Sequence, residues 1–391
     1  MPSKKNNAKG SLLIFAAYFF PHEGGYEQYV YNEALGLTKK GYHVTIITAN
    51  TENAASEEIL DGIKVYRLPC YHLLGKTYPV LKPSAARHFL KQLMKTNHFD
   101  LINCHTRFFN TCLWALWFAK KTKRPLLHIE HGTRHSSLPR KWLEWAAILY
   151  DHTFGRKIIK RSWKVAGVAQ AAEKFAKHLY NRETMTIFNA VDTTFFDRKD
   201  RKNENDHMKK TLGVDNNETV ITFVSRLIYA KGAQDLIKQS EGLSKTKILI
   251  IGDGNYRNAL EHMAGGRKEV IFLGKRDKSF IRDALAITDI FVSPSYSEGL
   301  PTNVLEAGAM GTAVIATDVG GTREIIDTPS CGMLYDPKHS EQLGTALREL
   351  IEHKEKGREM GVALQKSIRK KFSWEKTAEK IVVLIEDSKN L

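Results

Sequence analysis

Cysteine is scarce: Cys70, Cys104, Cys112 and Cys331 are the only four in 391 residues, and no two stand in a CxxC spacing. That excludes a zinc-finger or zinc-ribbon framework and leaves reduced thiols as the simplest reading. No Asp-x-Asp segment offers a paired-carboxylate site for a catalytic metal, so neither a metal nor another cofactor is expected. Long apolar runs are missing too, none approaching the roughly 20 residues that cross a bilayer. The nearest, Ser11 to Phe20 behind Lys4, Lys5 and Lys9, imitates a signal peptide but lacks a small-residue cleavage site and runs into Pro21. It reads as a buried first strand behind a disordered tail of residues 1–10. A cytoplasmic protein, soluble or peripheral on the inner face of the membrane, is the expectation.

What is present is globular composition, 42% apolar and 26% charged, in a chain long enough for two domains. The formal charge is +16 and lies almost wholly in one half: residues 1–185 carry 28 Lys and Arg against 13 Asp and Glu, the remainder 31 against 30. Such asymmetry points to an anionic partner for the first half, membrane headgroups or nucleic acid. A specific nucleic-acid reader has no support, because no recognition-helix module, zinc finger or aromatic RNA-binding motif is found.

Short apolar runs alternate with segments of helical period, the pattern of parallel sheets covered by helices. Strands are predicted at Leu12–Phe19, His43–Thr48, Phe99–Cys104, Leu126–His131, Lys164–Val168 and Met185–Phe188. A second series follows at Val220–Ser225, Lys247–Ile251, Val270–Leu273, Ile290–Ser293 and Ala313–Ala316. Between them the polar stretch Arg198–Lys210 reads as a linker or surface excursion. The fold class is therefore α/β, two doubly wound domains split near Asn189, with ligands expected at the carboxyl ends of the strands.

Five constellations fall at such ends. Glu298 and Gly299 sit in the loop after Ile290–Ser293, and Leu300, Pro301, Thr302 and Asn303 lead into a helix whose free amides suit a phosphate. Thr302 and Glu306 share one face of that helix, where Glu306 could hold ribose hydroxyls while Glu298 holds those of a sugar; two ordinary surface glutamates would look the same. Arg226 ends the strand Val220–Ser225 and Lys231-Gly232 opens the next helix, placing two cations where they could neutralise a diphosphate. Gly252-Asp253-Gly254 follows Lys247–Ile251, but Arg257 stands where a dinucleotide fingerprint needs its third glycine. Gly24-Gly25 follows the first strand, either as a ligand-approach loop or as a tight turn before an amphipathic helix. His131 ends its strand, and His105 ends another as a weaker acceptor-side candidate.

Read in order, these segments resemble retaining glycosyltransferases of the GT-B fold, family 4. Glu298 and Glu306 match that family's E-x7-E motif, Gly24-Gly25-Tyr-Glu27 its early GGxE loop, and Asn189-Ala-Val-Asp192 its NGVD segment. Arg226 to Gly232 matches R-x4-KG, and Gly320-Gly321 with Glu324 the late GGxxE turn. The resemblance implies two Rossmann-like domains facing across a cleft: 1–188 on the acceptor side, 189–372 for the nucleotide sugar, and a last helix in 373–391 returning toward the first. It implies His131, Arg226, Lys231 and Glu298 as catalytic residues. Donor contacts would come from Gly24, Gly25, Asn189, Gly252, Asp253, Gly254, Gly274, Lys275, Gly299, Leu300, Pro301, Thr302, Asn303 and Glu306. The implied reaction moves a sugar from a nucleoside diphosphate sugar to an acceptor hydroxyl without a metal, in glycolipid or cell-surface polysaccharide synthesis. Ala190 replaces the family's usual glycine, and Glu-Gly-Leu-Pro replaces its common Gly-Phe-Gly form. The alternative within the fold is an inverting enzyme, which needs a general base such as His131 or Asp151.

One segment bears on the acceptor. Between Pro139 and Lys164, Trp142, Trp145, Ala146 and Leu149 form a helical stripe bracketed by Arg140, Lys141, Arg156, Lys157, Lys160 and Arg161. Either this stripe packs into the core or it lies on anionic lipid, which favours a lipid-linked over a soluble saccharide acceptor.

Overall fold

The computed structural model describes residues 9–22, 24–73, 78–133, 135, 141–198 and 202–391. The chain forms two compact units, residues 1–189 together with 374–391, and residues 190–373.

The first unit is built on an eight-stranded sheet of β1 (Ser11–Phe15), β2 (His43–Ala49), β3 (Glu57–Leu60), β4 (Ile63–Leu68), β7 (Leu101–His105), β8 (Leu126–Glu130), β9 (Lys164–Gly167) and β10 (Met185–Thr186). A separate hairpin pairs β5 (Cys70–Leu73) with β6 (Tyr78–Leu81). The sheet order is β10-β9-β8-β7-β1-β2-β4-β3, parallel except for the antiparallel edge strand β3. Strands β1, β7 and β8 are buried along nearly their whole length, β1 as an apolar run and β7 and β8 with the buried polar residues Asn103, His105, His128 and Glu130 among their apolar ones. The chain leaves β1 toward β2 and later returns beside β1 as β7, so the switch point lies between β1 and β7. The last helix, Trp374–Ser388, packs on the helix Gly25–Lys39, with Ala378, Ile381 and Ile385 buried in the core beside Tyr29 and Leu37. Its Thr377 hydroxyl donates to the Phe188 carbonyl, and the Tyr42 hydroxyl donates to Glu386.

The second unit holds six strands in the order β13-β12-β11-β14-β15-β16, all parallel: β11 (Thr219–Val224), β12 (Thr246–Ile251), β13 (Val270–Gly274), β14 (Ile290–Ser293), β15 (Ala313–Thr317) and β16 (Met333–Tyr335). Its switch point lies between β11 and β14.

Several boundaries differ from the sequence reading. β1 ends at Phe15 rather than Phe19, Ala16 to Phe19 remaining buried as a connecting segment. β10 is only Met185–Thr186. The polar stretch Arg198–Lys210, which reads as a linker or surface excursion, holds most of a helix, Lys202–Thr211, whose Thr211 hydroxyl donates back to the His207 carbonyl. Residues 199–201 and the N-terminal segment 1–8, the bulk of the expected tail, lie outside the described residues.

Candidate functional site

In the second unit the two loops at the switch point meet. The loop after β11 carries Arg226 and Lys231; the loop after β14 carries Glu298 and leads through Pro301 into the helix Thr302–Ala309. Lys231 Nζ donates to Glu298 Oε1 at 2.7 Å, with side-chain exposures of only 18% and 11%. Both residues expected to serve the ligand are therefore partners of each other. Arg226 is exposed, and among the described residues its guanidinium makes no ion pair. Two cations thus stand on the loop after β11, one braced and one open to solvent.

Backbone contacts explain why these loops lie so close. Gly232 has φ +73°, and a Cβ there would fall 1.9 Å from the Pro294 carbonyl oxygen, so only glycine lets the β11 loop touch the β14 loop. Asn303 Nδ2 donates to the Val224 carbonyl at 3.0 Å, tying the helix start to the end of β11. The Tyr296 amide donates to the Ala230 carbonyl, and the Tyr296 hydroxyl joins Asp235 and Gln234. On the other side Gly320, at φ +56°, brings its turn against the Glu298 carbonyl, where a Cβ would approach to 2.0 Å. The Gly321 amide donates to Gly299 O at 2.6 Å. The late Gly-Gly turn is thereby fastened to the Glu298 loop, a link between two motifs that spacing does not reveal.

The remaining second-unit candidates ring the same strand ends. Gly252 follows β12 with its amide on Gly274 O, while Asp253 is exposed, its Oδ1 accepting from the Gly254 amide. Lys275 is exposed just past β13. Leu300 and Pro301 are buried, with Pro301 in the cap position just before the helix; Thr302 and Glu306 are half-buried one turn apart. Burial pushes the Glu306 carboxyl up to about 7, against the opposing pull of Lys278. A groove of about 830 Å³ elsewhere in this unit, lined by Arg323, Asp327, Ser330, Lys356 and Met360, includes none of these residues.

In the first unit Gly24 caps the helix Gly25–Lys39 in extended conformation, both glycines are exposed, and neither has positive φ. Glu27, the acidic member of that motif, is buried and paired with His22 Nδ1 at 2.8 Å. Asn189 is buried, its amide on the Val168 carbonyl. His131 lies one residue past β8, half-buried, its ring against Tyr26 and Tyr29 at centroid distances of 5.1 and 4.9 Å. Burial and the neighbouring His105 hold His131 well below the ordinary histidine range, so its ring is neutral. His105, expected to reach an acceptor, is instead fully buried behind His131.

Asp151, the other conceivable base, is not free either. It is buried, and its Oδ2 receives Arg107 Nη2 at 2.8 Å and His135 Nδ1 at 2.7 Å. Arg107 also reaches Glu130 Oε2 at 3.0 Å, while Glu130 Oε1 takes the Gly132 amide. Although burial acts to raise the Glu130 carboxyl, Arg107 and His128 hold it well below the usual carboxylate range. This ion-pair network shapes the loop after β8, and nothing in the sequence around Arg107 or Glu130 signals it. Behind it the fold gathers Cys104, Cys112 and His128, whose ligand atoms lie within 4.8 Å of one another. Cys104 and His128 stand 3.4 Å apart, and the Cys112 thiol, raised well above its usual range by burial, donates to the His105 and Thr106 carbonyls.

The chain matches the family described as Glycosyltransferase Family 4 over residues 23–195 and that described as Glycosyl transferases group 1 over residues 204–367. An uncharacterized glycosyltransferase of Methanocaldococcus jannaschii is 26% identical over 97% of this chain and 98% of its own length. The alpha-monoglucosyldiacylglycerol synthase of Streptococcus pneumoniae is 26% identical over 86% of this chain and 78% of its own. Among solved structures, Anabaena HepE in complex with UDP-glucose superposes with a TM-score of 0.75 at 19% identity, covering 97% of this chain and all of that one. With two parallel-sheet, Rossmann-like units and matched segments in both, the chain belongs to the group 1 glycosyltransferases of family 4 and has their GT-B fold.

Proposed function

We propose that this glycosyltransferase uses a nucleoside diphosphate sugar and transfers the sugar to an acceptor hydroxyl with retention at the anomeric carbon. The observation that carries the reading is the Lys231–Glu298 pair at the switch point, with Arg226 exposed on the same loop as Lys231. A diphosphate entering there meets Arg226, the Lys231 ammonium and the amides at the start of the helix Thr302–Ala309. Lys231 has three donors, so it can keep Glu298 while taking a phosphate oxygen. Glu298 then holds sugar hydroxyls, Glu306 the ribose, and His131 the transferred sugar. In the front-face step the bond from the anomeric carbon to the phosphate oxygen breaks, its electron pair leaving with the phosphate. The acceptor oxygen bonds to the same carbon, and its proton passes to the departing phosphate. Charge stabilisation by Arg226 and Lys231 stands in for a metal. The engagement of Asp151 with Arg107 and His135 weighs against an inverting route through that residue. NMR of the product formed in EDTA tests both claims: transfer should persist and keep the donor's anomeric configuration. Inversion, or loss of transfer restored by magnesium, contradicts the reading.

We further infer that the acceptor is lipid-linked. The stripe that could have packed inward is on the surface: Trp142, Trp145 and Leu149, on the helix Lys141–Tyr150, are 62%, 72% and 65% exposed. Phe154 is exposed next to Arg156, Lys157, Lys160 and Arg161, all on the surface. Pro139 and Arg140 lie outside the described residues. Exposed tryptophans beside cations suit a headgroup interface with anionic lipid. No helix among the described residues is long and apolar enough to cross a membrane.

A further inference from the structure

The fold brings two thiols and an imidazole together in the first unit, and none of the three takes part in the reaction above. Cys104 on β7 and His128 on β8 are opposite each other in the parallel register, so their side chains leave the sheet on the same face. Cys112 meets them from the first turn of the helix Thr111–Thr122, which packs on β7. All three residues are fully buried. One ligand atom from each lies within 4.8 Å of the other two, and Cys104 Sγ stands 3.4 Å from His128 Nδ1. Cys104 and Cys112 belong to an apolar cluster with Ile102, Ala115, Phe118 and Leu126.

A buried cysteine by itself is a small apolar group, and the Cys112 thiol has ordinary acceptors in the His105 and Thr106 carbonyls, each 3.3 Å away. Two features of the trio go beyond that role. Ligands 2.0–2.3 Å from one ion stand about 3.5–4 Å from each other in a trigonal or tetrahedral site, so these three atoms need only a small closure to share one. The far side of the imidazole is also prepared: His128 Nε2 lies 3.3 Å from Glu130 Oε2, which carries the Arg107 guanidinium at 3.0 Å. A ring that gives its Nε2–H to a carboxylate presents Nδ1 to the thiols, the arrangement found around metal-bound histidines. The ligands come from two strands and a helix, which is why no CxxC spacing marks them in the sequence.

We propose that Cys104, Cys112 and His128 bind one zinc ion that fastens β7, β8 and the helix Thr111–Thr122 to one another. Thiolates with an imidazole select zinc or copper(I) over magnesium and calcium, which take oxygen ligands. Two thiolates and a neutral imidazole cancel the charge of zinc, whereas copper(I) would leave one negative charge among apolar side chains. The carbonyl oxygens of His105 and Thr106, beside Cys112 Sγ, are the polar atoms at hand for a fourth position. On binding, two S–H bonds are exchanged for two zinc–sulfur bonds; both protons, with any on Nδ1, pass to solvent, and no electron moves. A site this buried is filled as the chain folds, and the ion's role is structural, separate from the handling of the donor phosphates.

The test uses the full chain produced in zinc-supplemented, cobalt-supplemented and metal-depleted media. Elemental analysis after dialysis without chelator should find about one zinc per chain. The cobalt form should show thiolate-to-cobalt charge-transfer absorption, and the zinc form should melt about 5 °C or more above the depleted one. Cys104→Ala combined with Cys112→Ala should abolish the zinc, the absorption band and the difference in Tm. Cys70→Ala combined with Cys331→Ala, which removes the other two cysteines, should keep all three. A wild type that stays zinc-free in zinc-supplemented medium, or takes copper(I) but not zinc, overturns the proposal. So does zinc retained without Cys104 and Cys112, or lost with Cys70 and Cys331. If the Cys104 and Cys112 variant fails to fold, the cobalt spectrum of the Cys70 and Cys331 variant still decides, because Cys104 and Cys112 are then the only thiols.

Discussion

Removing Lys231 should have two effects that a second substitution can separate. In Lys231→Met the Glu298 carboxylate loses the ammonium 2.7 Å away while remaining 11% exposed. Fully exposed pairs contribute about 0–1 kcal/mol, and breaking fully buried ones costs about 3–5 kcal/mol. This pair lies between, so about 2 kcal/mol is expected, or roughly 4–8 °C in Tm for a unit of this size. Turnover should fall further, at least about a hundredfold, if the same ammonium has the proposed role of stabilising charge on the leaving phosphate. Glu298→Gln combined with Lys231→Met removes both charges together. The double variant should regain the wild-type Tm to within about 2 °C yet bind nucleoside diphosphate at least about tenfold more weakly than Glu298→Gln alone, which lacks only the sugar contact. Thermal melts and calorimetry with nucleoside diphosphate measure the two quantities. A double variant that matches Glu298→Gln in nucleoside diphosphate affinity would show that Lys231 only braces the loop, refuting its assignment to the phosphate.

Glu306 supplies a pH signature. Its carboxyl is raised from 4.5 to about 7, so the folded protein holds this proton more tightly than the unfolded chain. Stability should therefore fall as pH rises from about 4.5 to about 7 and level off above, by about 1–3 kcal/mol after allowing for partial exposure. Glu306→Gln should flatten that segment of the melting curve against pH; an unchanged slope would place the titration elsewhere. The ribose reading adds that nucleoside diphosphate affinity rises through the same window and that Glu306→Ala weakens it while Glu298→Ala spares it, with calorimetry as the check. For the surface stripe, flotation with vesicles should require anionic lipid, weaken as salt shortens the Debye length, and fall when Arg156, Lys157, Lys160 and Arg161 are neutralised, each contributing about 1 kcal/mol. Equal binding to neutral vesicles, or none, would favour a soluble acceptor.

How much could be read in advance follows from how each element is stabilised. β11, β14 and β15 are legible because strands buried on both faces are unbroken apolar runs. The charged edge strand β3 is not, since Glu57 is exposed and Glu58 is held by the buried Arg67 rather than by an apolar face; its signal is the turn Asp61-Gly62, with φ +50° and +82°, which joins it to β4. The helix Lys202–Thr211 was hidden by polar composition, its first-turn Glu204 and last-turn Lys209 and Lys210 fitting the helix dipole in place of an apolar stripe. In the candidate site, strand ends located Arg226, Lys231 and Glu298, but their ion pair depends on contacts that Gly232 and Gly320 permit across loops far apart in sequence. The meeting of Cys104, Cys112 and His128 was not legible, because it depends on strand order and on a helix crossing β7.

The central claim is that a nucleoside diphosphate group binds at Arg226 and Lys231 without a metal. Thermal shift in EDTA with uridine, guanosine and adenosine diphosphates and their sugars addresses it directly, since a ligand at a hundred times its Kd stabilises by about 2.7 kcal/mol. At least one of these should raise the Tm of the wild type, and the shift should vanish in Arg226→Ala with Lys231→Ala. A panel that leaves the wild type unmoved in EDTA but not in magnesium, or a shift that survives in the double variant, would contradict it.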